Sequence, residues 1–283
     1  MNLYITIFLL FICVLIYLTF WHEVDIDNFV EGFSNSYENN IHFLSADETR
    51  DIISSNADGY FERFTQNDLR ARTQQSASSL GNYLVNLEQY IKGFNCGDFT
   101  ESNKALITEC VDEIETIVIK DPPQSGGVDW VDSNKFHAIP WKIGLIEDDS
   151  YEYGLPHTRV DTILIPKRAL IKPDKKDFIN TLIHEKLHVY QKLYPADFQK
   201  YLDHHGFVKY ARYGSLRDIA ANPDTDEYVY AKKSGLDKVV YCGKYDFSTG
   251  KHGVKSIVHQ PIDDPKYDHP RELAVYNLLE NLL

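Results

Sequence analysis

The pattern of apolar and polar positions changes character along the chain, and each change marks a segment. Asn2 to Trp21 carries no charged side chain and reads NLYITIFLLFICVLIYLTFW. At about 1.5 Å per residue, a helix of that length spans roughly 30 Å, the thickness of a bilayer's hydrocarbon core. Tyr4 and Trp21 stand near its ends, where amphipathic aromatics favour the interface. A cleaved signal peptide would show a basic start and a small-residue cleavage site. No Lys or Arg precedes Arg50 and no such site follows, so residues 1–22 are expected to be a retained single-pass anchor. The same lack of basic residues leaves its orientation open. Residues 23–42 are polar, rich in Asn, Ser and Gly, and read as a tether.

From residue 43 to 122 the period is helical. Ser45 and Glu48 have capping-box spacing, and Tyr83–Ile91 and Ala105–Ile119 repeat apolar residues at helical intervals. The run Asp121–Gly127, DPPQSGG, ends this expected helical subdomain. Short apolar runs bounded by turn residues follow, at Trp141–Asp148 and Asp161–Lys167, and predict strands. Lys175 to Leu193 predicts a long helix that stops before Pro195. Further strands are expected at 227–231, 238–242 and 254–258. A last helix begins at Pro270, a residue suited to a first turn because its missing N–H has no partner there anyway. The order gives an α+β fold with a small mixed sheet. No internal repeat is present.

Composition narrows the function classes. The chain has 283 residues, 43% hydrophobic and 25% charged, with a net charge of −13, so it is globular and lacks the basic face of a nucleic-acid binder. Its four cysteines, Cys13, Cys96, Cys110 and Cys242, form no C-x-x-C pair, which argues against a cysteine-based zinc knuckle. Cys96 and Cys110 could pair or remain thiols.

The chemistry concentrates in the helix over 175–193, FINTLIHEKLHVYQKL from Phe178 onward. His184 and His188 are four apart and stack on one helical face, one turn apart. Two imidazoles so placed can hold one Zn2+. Glu185 lies beside them, where it can act as general base on an attacking water. The other reading is a helix with two incidental histidines. A catalytic zinc site requires a third donor. Glu272, acidic among Leu273, Ala274, Leu278 and Leu279, is the best placed. As a first-turn acid it could instead complement the helix dipole. His204, His205, Asp197 and Asp203 are alternatives. A histidine six residues after His188 is not, since that position is Tyr194.

HEKLH with a downstream helical glutamate resembles the zincin metallopeptidases, in their glutamate-liganded branch. The text HTRVDTILIP, TLIHEKLHVYQK, ANPDTDEYVY and HPRELAVY is similar to uncharacterised metallopeptidase-like proteins of large DNA viruses. The resemblance covers His157 to the C-terminus. It implies a zincin-like catalytic domain over 128–283, zinc on His184, His188 and Glu272, Glu185 as base, and a peptide or protein substrate. It also implies that the strand near Asp161–Pro166 borders the cleft and pairs with extended substrate. Members of this branch often carry an Asp four residues after the third ligand, and here that residue is Tyr276. Tyr241, His259, Tyr267 and His269 are the candidates to stabilise an oxyanion. Two rivals stand beside this reading: a catalytically inactive, membrane-tethered scaffold of the same fold, and an interaction module without metal.

Overall fold

The computed structural model describes residues 40–75, 79–119, 128–216, 219–234, 237–248, 257–260 and 269–282. The expected anchor and nearly all of the tether lie outside them. No helix among the described residues is long and apolar enough to cross a membrane.

In chain order the elements are β1 (Ile41–Phe43), α1 (Ala46–Ser54), α2 (Gln66–Thr73), α3 (Leu80–Lys92), β2 (Cys96–Gly97) and α4 (Glu101–Ile114). Then come α5 (Ser133–Ala138), β3 (Trp141–Ile146), β4 (His157–Arg159), β5 (Thr162–Pro166), α6 (Lys175–Leu193) and α7 (Pro195–His205). The C-terminal part adds β6 (Phe207–Arg212), β7 (Tyr228–Ser234), β8 (Asp237–Tyr245), β9 (Ile257–Gln260) and α8 (Pro270–Leu282). The fold is mixed α/β, with two small sheets.

The first sheet has the order β1-β3-β5-β4, with β2 pairing alongside β3. β1, β3 and β5 run parallel, while β2 and β4 run antiparallel to their neighbours. Every residue of β5 is buried, which suits a strand covered on both faces. The second sheet is an antiparallel ribbon, β6-β7-β8-β9.

The stretch 43–122 was expected to be a helical subdomain of its own. Its helices are present, and the Ser45–Glu48 capping box forms at the start of α1. But β1 and β2, which flank and interrupt it, join the sheet of the C-terminal half. Ile107, Val111 and Ile114 of α4 also share one apolar core with Ile143, Ile165, Leu182, Leu187 and Leu278. Ile41–Leu283 is accordingly one compact unit. Cys96 and Cys110 are buried free thiols, so they do not pair.

α6 is the axis of this core. Asp174 caps it by accepting a hydrogen bond from the Asp177 N–H, and Pro195 opens the next helix. Phe178, Ile179, Leu182, Ile183, Leu187 and Tyr190 are buried along it, each stabilising the fold by about 1.5–3 kcal/mol. That packing fixes the rotation of α6, and with it the direction in which His184 and His188 point.

Candidate metal centre

His184 and His188 on α6 face Glu272 on α8. His184 Nε2 stands 3.4 Å and His188 Nε2 3.3 Å from Glu272 Oε2, and the two imidazole Nε2 atoms are 3.0 Å apart. Three donors around one ion at about 2.1 Å in tetrahedral array stand about 3.4 Å from one another, so these separations fit a shared zinc-sized cation. Of the described residues, these three form the group able to hold a metal.

Each donor is oriented from behind. His188 Nδ1 donates to Gln191 Oε1 at 3.0 Å, and Gln191 Nε2 donates to the Arg271 carbonyl at 3.0 Å. The first bond leaves the His188 Nε2 lone pair free, and the second ties α6 to the start of α8. Asn222 Nδ2 donates to Glu272 Oε1 at 3.0 Å, which leaves Oε2 for the centre. The Tyr276 ring packs edge-on against His184, centroids 4.9 Å apart. Gln191, Asn222 and Tyr276 therefore do the positioning.

The charge balance also favours a cation. Burial alone would push the Glu272 carboxyl up, but His188 and His184 beside it hold it well below the ordinary range. Burial likewise opposes charge on His188, and Glu272 outweighs it, raising that imidazole. Glu185 is 4% exposed, and its Oε2 has no hydrogen-bond partner among the described residues. Burial first, then the nearby Asp224 and Glu272, push its carboxyl well up, with Lys192 opposing. Three carboxylates around two imidazoles make a site that a divalent ion would relieve.

His184, Glu185, Asp224 and Glu272 line a cleft of about 480 Å³, together with His157, Asn180 and Tyr276. His157 Nδ1 donates to the Leu155 carbonyl at 2.7 Å. Its Nε2 has no partner among the described residues, and burial lowers its pKa, so it is a neutral acceptor on the cleft wall. No protein-family model, curated protein or solved structure matches the chain. The site has to be read from its own geometry.

The remaining sequence candidates are engaged elsewhere. Asp197 accepts from Lys135, Lys200 and Tyr190, and Asp203 from Gln199. The His204 and His205 rings pack against each other at the end of α7. Of the oxyanion candidates, His269 is fully buried with Nε2 on the Tyr228 carbonyl. Tyr241 packs on Phe207. Tyr267 and the His259 side chain lie outside the described residues.

One expectation needs correction. β5 does not offer a free edge, because β3 and β4 flank it. The outer strand is β4, and it is already capped. The Thr158 N–H donates to Asp224 Oδ1 at 2.6 Å, and the Thr158 carbonyl accepts from Lys192 Nζ at 3.0 Å. Neither cap was legible in the sequence, since Asp224 sits on a loop and Lys192 is a basic residue in the last turn of α6, where such residues are common.

Proposed function

We propose that this chain is a zinc-dependent peptide hydrolase of zincin-like construction, with His184, His188 and Glu272 as metal ligands and Glu185 as general base. On the sequence alone, Asn2–Trp21 is proposed as its membrane anchor. The observation that carries the reading is the convergence of the three donors at metal-ligand separations beside a buried, unpartnered carboxylate oxygen.

When bound there, zinc would acidify a water and polarise a carbonyl. Glu185 takes the proton from the attacking water and delivers it to the leaving amine, for which its raised affinity for protons suits it. Gln191 and Asn222 keep the donors aimed. His157 offers a lone pair to an N–H of the bound peptide. With Thr158 capped by Asp224 and Lys192, the substrate is gripped in the cleft without sheet extension at that position.

The test is metal analysis of the full chain in detergent, paired with a peptide-cleavage assay. One zinc per chain, lost in His184→Ala, together with metal-dependent cleavage, is the expected outcome. Zinc retained without any cleavage would favour the scaffold reading, and a folded chain that takes up no zinc would eliminate the hydrolase and favour the interaction module without metal.

A further inference from the structure

Beyond the Asn222–Thr225 turn from the metal cleft lies a second cavity, of about 730 Å³, and its lining carries four cationic side chains: Arg63, Lys192, Arg212 and Arg271. Two of these are more than nine-tenths buried, Arg63 at 8% and Arg271 at 7% exposure. Their hydrogen bonding is incomplete. Arg63 Nη1 donates to the carbonyls of Asn222, Thr225 and Asp226, yet Arg63 Nε has no partner among the described residues. Arg271 Nη2 stands 3.6 Å from Asp226 Oδ2, while its Nε and Nη1 have no partner there. Buried donors left unpaired cost about 1–3 kcal/mol each. Here three such donors sit on two arginines that line one cavity, with no acceptor for them among the described residues.

The acids lining the same cavity do not fill that role. Asp58 is held by Arg159 through both oxygens. Glu62 accepts from Asn56. Glu227 pairs with Arg212. Asp226 accepts from Tyr230 and the Tyr228 N–H and faces His269. Lys192 is pushed down to about 8 by burial, with Arg271 and Arg63 adding to the effect and Asp224 opposing it. The cations are thus close enough to repel one another.

We propose that this cavity binds a phosphate-type oxyanion between Arg63 and Arg271, with Lys192 beside it. A tetrahedral dianion offers acceptors in several directions, as donors on two separate elements require, whereas a carboxylate offers them in one plane. Arg63 precedes α2, and Arg271 opens α8. The site does not depend on the hydrolase reading, because the unpaired nitrogens touch none of the three metal donors. It does share a frame with them. Arg271 is next to Glu272 and its backbone carbonyl accepts from Gln191, and Arg63 holds the loop whose Asn222 braces Glu272.

The test is calorimetric titration of inorganic phosphate and, in parallel, phosphoserine into the full chain in detergent. The same titrations are run on His184→Ala and Arg271→Gln. Saturable binding of at least one ligand is expected, unchanged in His184→Ala and weakened about tenfold or more in Arg271→Gln. Tighter binding of phosphoserine would identify a phosphate ester as the natural form, and tighter binding of phosphate the free ion. If Arg271→Gln does not fold, crystals of the unsubstituted protein soaked in selenate decide: an anomalous peak between the two guanidinium groups supports the site. Absence of saturable binding, loss in His184→Ala with retention in Arg271→Gln, or no selenate peak overturns it.

Discussion

Two glutamates, the half-buried Glu115 touching Lys186 and the buried Glu185 adjacent to it in sequence, meet opposite fates. Glu115, at the end of α4, has both oxygens answered. Oε1 accepts from Trp141 Nε1 at 2.8 Å and lies 3.2 Å from Lys186 Nζ, and Oε2 meets His137 Nδ1 at 2.8 Å. Burial alone would raise its pKa, yet His137, Lys186 and Trp141 bring it down to about 2. Lys186, 1% exposed, is boxed further by the faces of Trp141 and Phe136. Glu185 keeps an oxygen with no partner among the described residues and a carboxyl pushed the other way. The fold answers both oxygens of the half-buried Glu115, and at the more deeply buried Glu185 it does not. Buried polar groups in folded proteins are normally paired, and the unpartnered Glu185 oxygen beside the three donors is what the proposed general-base role would use.

The contrast can be broken in graded steps. The largest effect is expected at Glu185→Gln: cleavage should fall by about 10²- to 10⁴-fold, with zinc content and thermal midpoint preserved. A fall in stability instead would make Glu185 a structural group like Glu115. Next, Glu115→Ala should destabilise the chain by about 3–5 kcal/mol in denaturant titrations, because Lys186 is left buried and uncompensated. Adding Lys186→Met to that variant should recover most of the loss, and failure to recover would mean the ammonium is not the cause. Gln191→Leu should then weaken zinc binding about 10- to 100-fold in competition with a chelator while leaving Glu115 chemistry untouched. The smallest effect is the acid limb. The Glu115 contribution is complete above its unfolded value of 4.5 and is lost as pH falls towards its folded value of about 2. Glu115→Gln should therefore flatten stability against pH in that window.

How much of this was readable beforehand depended on sequence distance. α6 was legible to its ends because an apolar period and a following Pro agree over Lys175–Leu193. Glu272 was legible because an acid amid an apolar helix needs a reason. Gln191 could have been found, lying one turn beyond His188 on the same face. Asn222 and Asp224 could not, since their partners lie 50 and 66 positions away across loops. β1 and β2 escaped notice for a different reason. They have three and two residues, too short to show a period, and only pairing with β3 makes them strands. The edge position of β4 was hidden because strand order within a sheet is not written in any one strand.

The loop that braces Glu272 is itself fastened by residues far upstream. Asp68 accepts from the Ala221 N–H, Arg72 donates to the Ala221 carbonyl, and Arg63 donates to three carbonyls between Asn222 and Asp226. The centre therefore cannot be excised. A fragment starting at Val128 would still encode both histidines and the glutamate, yet it would lack the clasp that sets their spacing. Recombination or truncation anywhere between Arg72 and Val128 separates His184, His188 and Glu272 from the part of the chain that holds them in register.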